Sequence, residues 1–268
     1  MAELSKQLAA QPETTGEFLR LERERIRFNK VTQRSSEDSL SIPEWNVRRC
    51  GHLREDAVFP FEYALHLLGD IRGKTIVDLG CGNGLNAVIL ASRGARVVSI
   101  DISERNLEVT GKRAIADGFG DCVELLYADA ADIPIAAGSA DAVLAAAILR
   151  HADPIRTARQ IRRVLKPGGV AVFQEPIAGS ACLAAIKNFS LAERALTLAE
   201  VEAVCRAVGI AGRRRAFWLM TRLLRRLGAG TSSPPAKAAQ RLDAIVLRRF
   251  PSISRFASLL VWEARKES

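Results

Sequence analysis

The sequence predicts an α/β fold built on a parallel, doubly wound sheet, and three observations carry that prediction. Short apolar runs recur between amphipathic stretches, the alternation that buries a parallel sheet between helices. One run, Ile76-Val77-Asp78-Leu79, passes directly into Gly80, Gly82 and Gly84 at alternate positions. The next run, Val97 to Ile100, ends on an acid, Asp101.

Taken in order, residues 1 to about 30 read as helix with dense mixed charge, L-R-L-E-R-E-R-I-R-F, in which Phe18, Leu19 and Ile26 make a narrow apolar stripe. Two roles fit this segment, a solvated helix on the domain edge or a lid over the site. Residues 31 to 58 are polar, carry Ser35, Ser36, Ser39 and Ser41 before Pro43, and read mostly as loop. Phe61 to Leu68 is helical and stops at Gly69. After the first strand and the glycines, Leu85 to Ser92 places Leu85, Val88 and Ile89 at helical spacing. Ser103 suits an N-cap for a helix to about Ala116. Val123 to Ala128 and Ala142 to Ala147 are the third and fourth strands. A helix from Ile155 to Leu165 stops at Lys166-Pro167-Gly168-Gly169, and Val170 to Gln174 is the fifth strand. Leu198 to Val208 is helical up to Gly209; Arg213 to Leu219 and Leu259 to Glu263 supply two last strands. Connections between parallel strands are right-handed crossovers.

Strand, glycine turn, helix, strand and terminal acid together make one nucleotide-binding βαβ unit. Glycine lacks a Cβ, so the chain turns sharply there and a ligand can approach the backbone. A dinucleotide fingerprint needs a glycine at the sixth position, counted from its first, to let helix and sheet pack closely. Here that position is Leu85. Asp78-Leu79-Gly80-Cys81-Gly82-Asn83-Gly84 instead resembles, without a gap, the first motif of the class I S-adenosylmethionine-dependent methyltransferases, of the small-molecule type. The resemblance covers roughly Ile71 to Pro176 and gains support from Asp101, from Asp129 after the third strand, and from the Leu165–Gly169 turn.

The resemblance implies a Rossmann-like seven-stranded sheet of order 3-2-1-4-5-7-6 with the last strand antiparallel. To this it adds an N-terminal helical lid or cap over 1–70 and a methyltransferase domain over 71–268. Within that domain, 71–176 is the cofactor-binding core, and 177–268 holds the substrate-side elements with a basic helical insertion. It also implies S-adenosylmethionine as cofactor, S-adenosylhomocysteine as product and no metal. The cofactor residues it implies are Asp78, Gly80, Cys81, Gly82, Asn86, Asp101, Ile102, Asp129, Ala130 and Ala146. Asp78 is expected near the cofactor's amino group and Asp129 at the adenine. Asp101 is expected on the ribose diol, which a carboxylate binds with two accepted hydrogen bonds. On the acceptor side it points to Trp45, His52, Arg54 and Tyr63.

His151 lies just beyond the fourth strand, and an imidazole there can take a proton from a hydroxyl. Packing or capping of the loop is the other role open to it. Enzymes that methylate nucleobase amino groups commonly carry Asp/Asn-Pro-Pro-aromatic after the fourth strand. This chain has Ala145-Ala146-Ala147-Ile148, so a small-molecule acceptor is expected, with oxygen favoured over nitrogen or carbon. Two other functions stay open, a nicotinamide-dependent oxidoreductase and a non-catalytic module that keeps the cofactor pocket.

At 268 residues with 48% hydrophobic content, the chain can bury a full core. Its N-terminus lacks a signal-peptide layout and no apolar run is long enough to span a bilayer, so a cytoplasmic protein is expected. Five scattered cysteines (Cys50, Cys81, Cys122, Cys182 and Cys205), with no C-x-x-C pair, argue against a disulfide framework and a zinc site. From Cys205 onward fourteen Lys and Arg face three acids, a net of +11, so the rest of the chain carries −2 of the total +9. Nucleic acid, an anionic membrane surface or an acidic substrate could meet such charge. No stacking aromatics or known module favour nucleic acid. Arginines interleaved with Phe217, Trp218, Leu219, Met220, Leu223, Leu224 and Leu227 suit peripheral contact with an anionic membrane, and then a lipophilic acceptor. Ordinary core packing accounts for the same apolar residues.

Overall fold

The computed structural model describes residues 15–34, 55–177, 195–219 and 234–268. Seven strands form one sheet in the order β3-β2-β1-β4-β5-β7-β6. They are β1 Thr75–Leu79, β2 Arg96–Asp101, β3 Val123–Tyr127, β4 Ala140–Ala146, β5 Leu165–Pro176, β6 Ile210–Phe217 and β7 Leu259–Arg265. Pairings among β1 to β5 are parallel, while β7 runs antiparallel to both β5 and β6. Ile76, Val77, Leu79, Ile100, Val143, Leu144 and Val172 are almost fully buried, as strands covered on both faces require.

The helices are α1 Thr15–Arg34, α2 Pro60–Leu68, α3 Leu85–Ser92, α4 Glu104–Ala116, α5 Pro154–Val164, α6 Leu198–Val208 and α7 Pro234–Arg249. Their ends follow from local chemistry. Ser103 caps α4 by accepting from the Asn106 N–H, and Asp153 caps α5 by accepting from Ile155 and Arg156. Thr197 and Glu200 close a capping box on α6. Helices flank the sheet on both faces: Ile161 and Val204 bury against Phe173 and Trp262, whereas Leu65 and Leu90 bury on the opposite face.

Several boundaries differ from the sequence reading. The first helix runs on to Arg34 into the stretch expected as loop, whose remainder up to 54 lies outside the described residues. The fifth strand begins at Leu165, because Ala140 pairs with Leu165 and Ala142 with Val170, so the Lys-Pro-Gly-Gly segment is a bulge inside the strand. The sixth strand ends at Phe217, because Trp218 turns to φ 63° and the Leu219 N–H donates to Asp243 Oδ2 at 3.0 Å.

Candidate functional site

The C-terminal ends of β1, β2 and β4 meet at a cavity of about 210 Å³, the usual ligand position in an open α/β sheet. Its floor is the glycine turn. Gly82 has φ +55°, and no heavy atom lies within 4 Å of where its Cβ would stand, so the turn leaves an open cradle above its backbone. At Gly84 (φ +79°) the reason for glycine is packing, since a Cβ would lie 2.7 Å from Thr110 Cα. Asp101 locks the turn to β2: its Oδ2 accepts from the Gly82 N–H at 2.9 Å and from Asn106 Nδ2 at 3.1 Å. Its Oδ1 accepts from the Ser103 N–H at 2.9 Å. Burial raises the Asp101 pKa, against the opposing pull of these backbone bonds.

Asp129 stands on the next wall, its Oδ1 accepting from the Ala131 N–H at 3.2 Å. Ala146, Ala147 and Ile148 form the β4 side, and Ala147 holds a left-handed φ of 59° where the strand breaks toward His151. Glu175 at the end of β5 braces this turn. Its Oε1 accepts from Ile148 N at 2.7 Å and Leu149 N at 2.8 Å. Full burial pushes its carboxyl up to about 7, with those two N–H bonds and Arg150 working the other way.

Helix α1 closes the cavity. Arg20 Nη2 pairs with Asp129 Oδ2 at 3.2 Å, and Arg20 Nη1 donates to the His151 carbonyl at 2.8 Å. Glu24 Oε2 lies 3.2 Å from His151 Nδ1, although the two are not aligned as a hydrogen bond. Burial raises the Glu24 carboxyl, but His151, Arg27 and Arg20 outweigh it and hold the pKa below its ordinary value. Phe28 meets the His151 ring edge-on at 5.0 Å, and the Ser103 hydroxyl donates to Asn29 Oδ1 at 2.6 Å. The imidazole is thus nearly buried, with Nδ1 turned to a carboxylate.

Of the residues picked from sequence, Gly80, Gly82, Asp101, Ile102, Asp129, Ala130, Ala146 and His151 line this cavity. Asp78 sits behind the turn, fully buried with both carboxylate oxygens unpartnered, and burial followed by Asp101's charge raises it to about 7. Cys81 points its sulfur toward Thr110 Oγ1 at 3.5 Å, and Asn86 lies on α3; neither is on the cavity wall. Tyr63 lines a different, larger cleft of about 660 Å³. Trp45, His52 and Arg54 lie outside the described residues. Sequence reasoning missed Arg20, Glu24, Phe28, Asn106 and Glu175. Only Glu175, an acid closing an apolar strand as Asp101 does, carried a readable signal.

The open cradle at Gly82 and the strand-end acid Asp101 fit a ligand with a ribose. Among the described residues no His, Cys, Asp or Glu cluster could hold a metal ion. The sheet order is the one that the resemblance to class I S-adenosylmethionine-dependent methyltransferases implied. Residues 77–173 match the family model described as a methyltransferase domain. A demethylmenaquinone methyltransferase of Clavibacter sepedonicus is 42% identical over 106 residues, 39% of this chain and 42% of that protein. A ubiquinone biosynthesis O-methyltransferase of Alkalilimnicola ehrlichii is 33% identical over 141 residues, 51% of this chain and 56% of that one. The chain thus spans about half the length of the curated relatives it matches. Among solved structures, a geranyl diphosphate C-methyltransferase from Streptomyces coelicolor superimposes with a TM-score of 0.63 at 16% identity, over 96% of this chain and 100% of that one. The cyclase SpnF does so with a TM-score of 0.57 at 20% identity, over 97% of each. At such identities these likenesses show the fold alone.

Proposed function

We propose that this protein transfers the methyl group of S-adenosylmethionine to a small-molecule acceptor, with a hydroxyl oxygen as the favoured nucleophile. The observation that carries the proposal is the Gly82–Asp101 cradle with His151 on the facing wall of the same cavity. When bound, the cofactor supplies a methyl group activated by a sulfonium. Asp101 keeps acceptor capacity for a ribose hydroxyl and Asp129 for an amino group of the base, while Asp78 lies buried under the glycine turn. With Nδ1 facing Glu24, His151 would take the hydroxyl proton at Nε2 as the oxygen attacks. The Glu24 carboxylate stabilises the imidazolium that results.

The contacts of α1 support reading the segment 1–70 as a cap on a domain spanning 71–268. The ubiquinone and menaquinone relatives support a lipophilic acceptor. Peripheral membrane contact rests on a different face than the sequence indicated. Phe217 is buried, and Trp218 and Leu219 pack on the core. The stretch from Met220 to Leu227 lies outside the described residues. Helix α7 and the turn after it instead expose Leu242, Ile245, Phe250 and Phe256 beside Arg241, Arg248 and Arg249. No described helix is long and apolar enough to cross a membrane. A cytoplasmic enzyme that touches anionic bilayers fits these features. Flotation with anionic vesicles at low salt tests that contact, and protein left in the pellet removes it.

Incubation with labelled S-adenosylmethionine and a panel of phenolic and hydroxylated acceptors tests the activity. S-adenosylhomocysteine should accumulate, and His151→Ala should slow turnover about 10²-fold with cofactor affinity intact. Cofactor binding without turnover on any acceptor would favour the non-catalytic module.

A further inference from the structure

The cleft that holds Tyr63 contains an electrostatic anomaly. It opens at the same end of the sheet as the cofactor cavity, over the junction of β6 with the start of β7. Its base is apolar, with Ile177, Ala216, Leu247 and Leu260 all buried. Three guanidinium groups, Arg214, Arg215 and Arg248, line it.

Arg215 is held rigidly. Its guanidinium carbon lies 5.5 Å from the Tyr63 ring centre and 5.1 Å from that of Phe217, and its Nη1 donates to the Glu55 carbonyl at 2.8 Å. These three contacts hold the planar group, and among the described residues no carboxylate forms an ion pair with it. Burial first, and then the like charge of Arg248, lower its pKa. Its neighbour Arg213 shows the contrast: Nε binds Glu263 Oε1 at 2.8 Å. The strand therefore neutralises Arg213, while among the described residues Arg214 and Arg215 have no bonded carboxylate. A partly buried cation in that condition costs free energy that a bound anion would return. Glu55 and Asp56 also line the cleft, so among the described lining residues three cations face two carboxylates, one positive charge in excess. That balance suits a single negative charge on an apolar body.

From this geometry we infer that the cleft binds an organic monoanion, a carboxylate carried by an apolar chain or ring. Arg215 and Arg248 grip the carboxylate, and the Ile177–Leu247–Leu260 floor takes the apolar part. The cleft and the cofactor cavity open at the same end of the sheet, with no described lining residue in common. Glu175, which holds the Ile148 N–H of the cavity, lies two residues before Ile177 of the cleft. The ligand is accordingly the methyl acceptor, anchored by an acid group remote from the atom that is methylated. This last step rests on the methyltransferase reading; the binding itself does not.

Calorimetric titration of the full chain with decanoate, decanol and acetate, without cofactor, tests the binding. Decanoate should bind at least about tenfold more tightly than decanol or acetate, through charge-assisted bonds combined with apolar burial. Arg215→Gln and Arg248→Gln should each weaken decanoate about tenfold, and Arg213→Gln should change it less than twofold. Arg248 is exposed, so its variant remains informative even if Arg215→Gln misfolds. Equal binding of decanol, equal binding of acetate (an adventitious ion only), or full affinity in Arg248→Gln would overturn the proposal. A parallel titration with S-adenosylhomocysteine separates the two readings. If it binds while decanoate does not, the cleft proposal fails alone. Arginine-dependent decanoate binding without cofactor binding would leave the cleft site standing and remove its role as the acceptor site.

Discussion

Replacing Glu175 with glutamine should make the protein's stability less sensitive to pH by a calculable amount. The carboxyl is fully buried at the end of β5, and burial pushes its pKa to about 7 from an ordinary 4.5. The folded state therefore holds the proton more tightly than the unfolded chain does. That preference stabilises the fold in full below about pH 4.5 and is lost as the pH rises through about 7. At about 1.4 kcal/mol per pH unit, a gap of roughly 2.5 units corresponds to about 3 kcal/mol. The glutamine carbonyl can still accept from Ile148 N and Leu149 N, so the turn keeps its brace while the ionisation disappears. Asp78, likewise raised to about 7, titrates in both proteins and cancels in the comparison. Any fixed cost of the amide cancels too, because it is present at every pH. Between about pH 5 and pH 8 the stability of Glu175→Gln relative to the parent should rise by roughly 2–3 kcal/mol. Thermal melts would show this as a relative gain of about 4–12 °C, taking 2–4 °C per kcal/mol for a domain of this size. Urea titration at the two pH values measures it directly. An offset between variant and parent that is the same at both pH values would refute the argument.

Two other perturbations separate roles that lie close together. Gly84→Ala forces a Cβ into Thr110 at a left-handed φ and should cost about 2–4 kcal/mol of stability in urea unfolding. Gly82→Ala meets only open space, so it should cost about 1–2 kcal/mol but weaken S-adenosylhomocysteine about tenfold in calorimetry by filling the cradle. Equal effects of the two substitutions on affinity would contradict this division. Arg20→Ala frees Asp129 and should raise cofactor affinity about two- to fivefold, since a partly exposed pair contributes up to about 1 kcal/mol. A fall in affinity would show instead that Arg20 is itself a cofactor ligand.

The sheet and half of the cavity were legible because their signals are local. A buried parallel strand is a short apolar run, a glycine turn is visible in the letters, and Asp101 follows its strand directly. The strand order came through the resemblance rather than through periodicity, and the pairing bears it out. The other half of the cavity depends on contacts between distant segments. Arg20 and Glu24 look like ordinary members of a charged helix face, and only the packing of α1 brings them 109 residues to Asp129 and across to His151. Tyr63 was chosen for the acceptor side, but its helix sets it beneath β6 against Phe217, in the cleft rather than the cofactor cavity. The charge count located the basicity of the last quarter without its arrangement. Which arginines are neutralised depends on the β6–β7 register, and no composition carries that information.

Titration of the protein with S-adenosylhomocysteine and with NADH, repeated on Asp101→Asn, tests the central claim most directly. The parent should bind S-adenosylhomocysteine at micromolar strength and ignore NADH. Asp101→Asn should bind at least about tenfold more weakly, because an amide replaces a carboxylate at the ribose and at the Gly82 turn. A thermal melt of the variant separates this loss from unfolding, and the comparison of the two ligands on the parent stands without it. Binding of NADH in place of S-adenosylhomocysteine, or full affinity in a folded Asp101→Asn, would contradict the account.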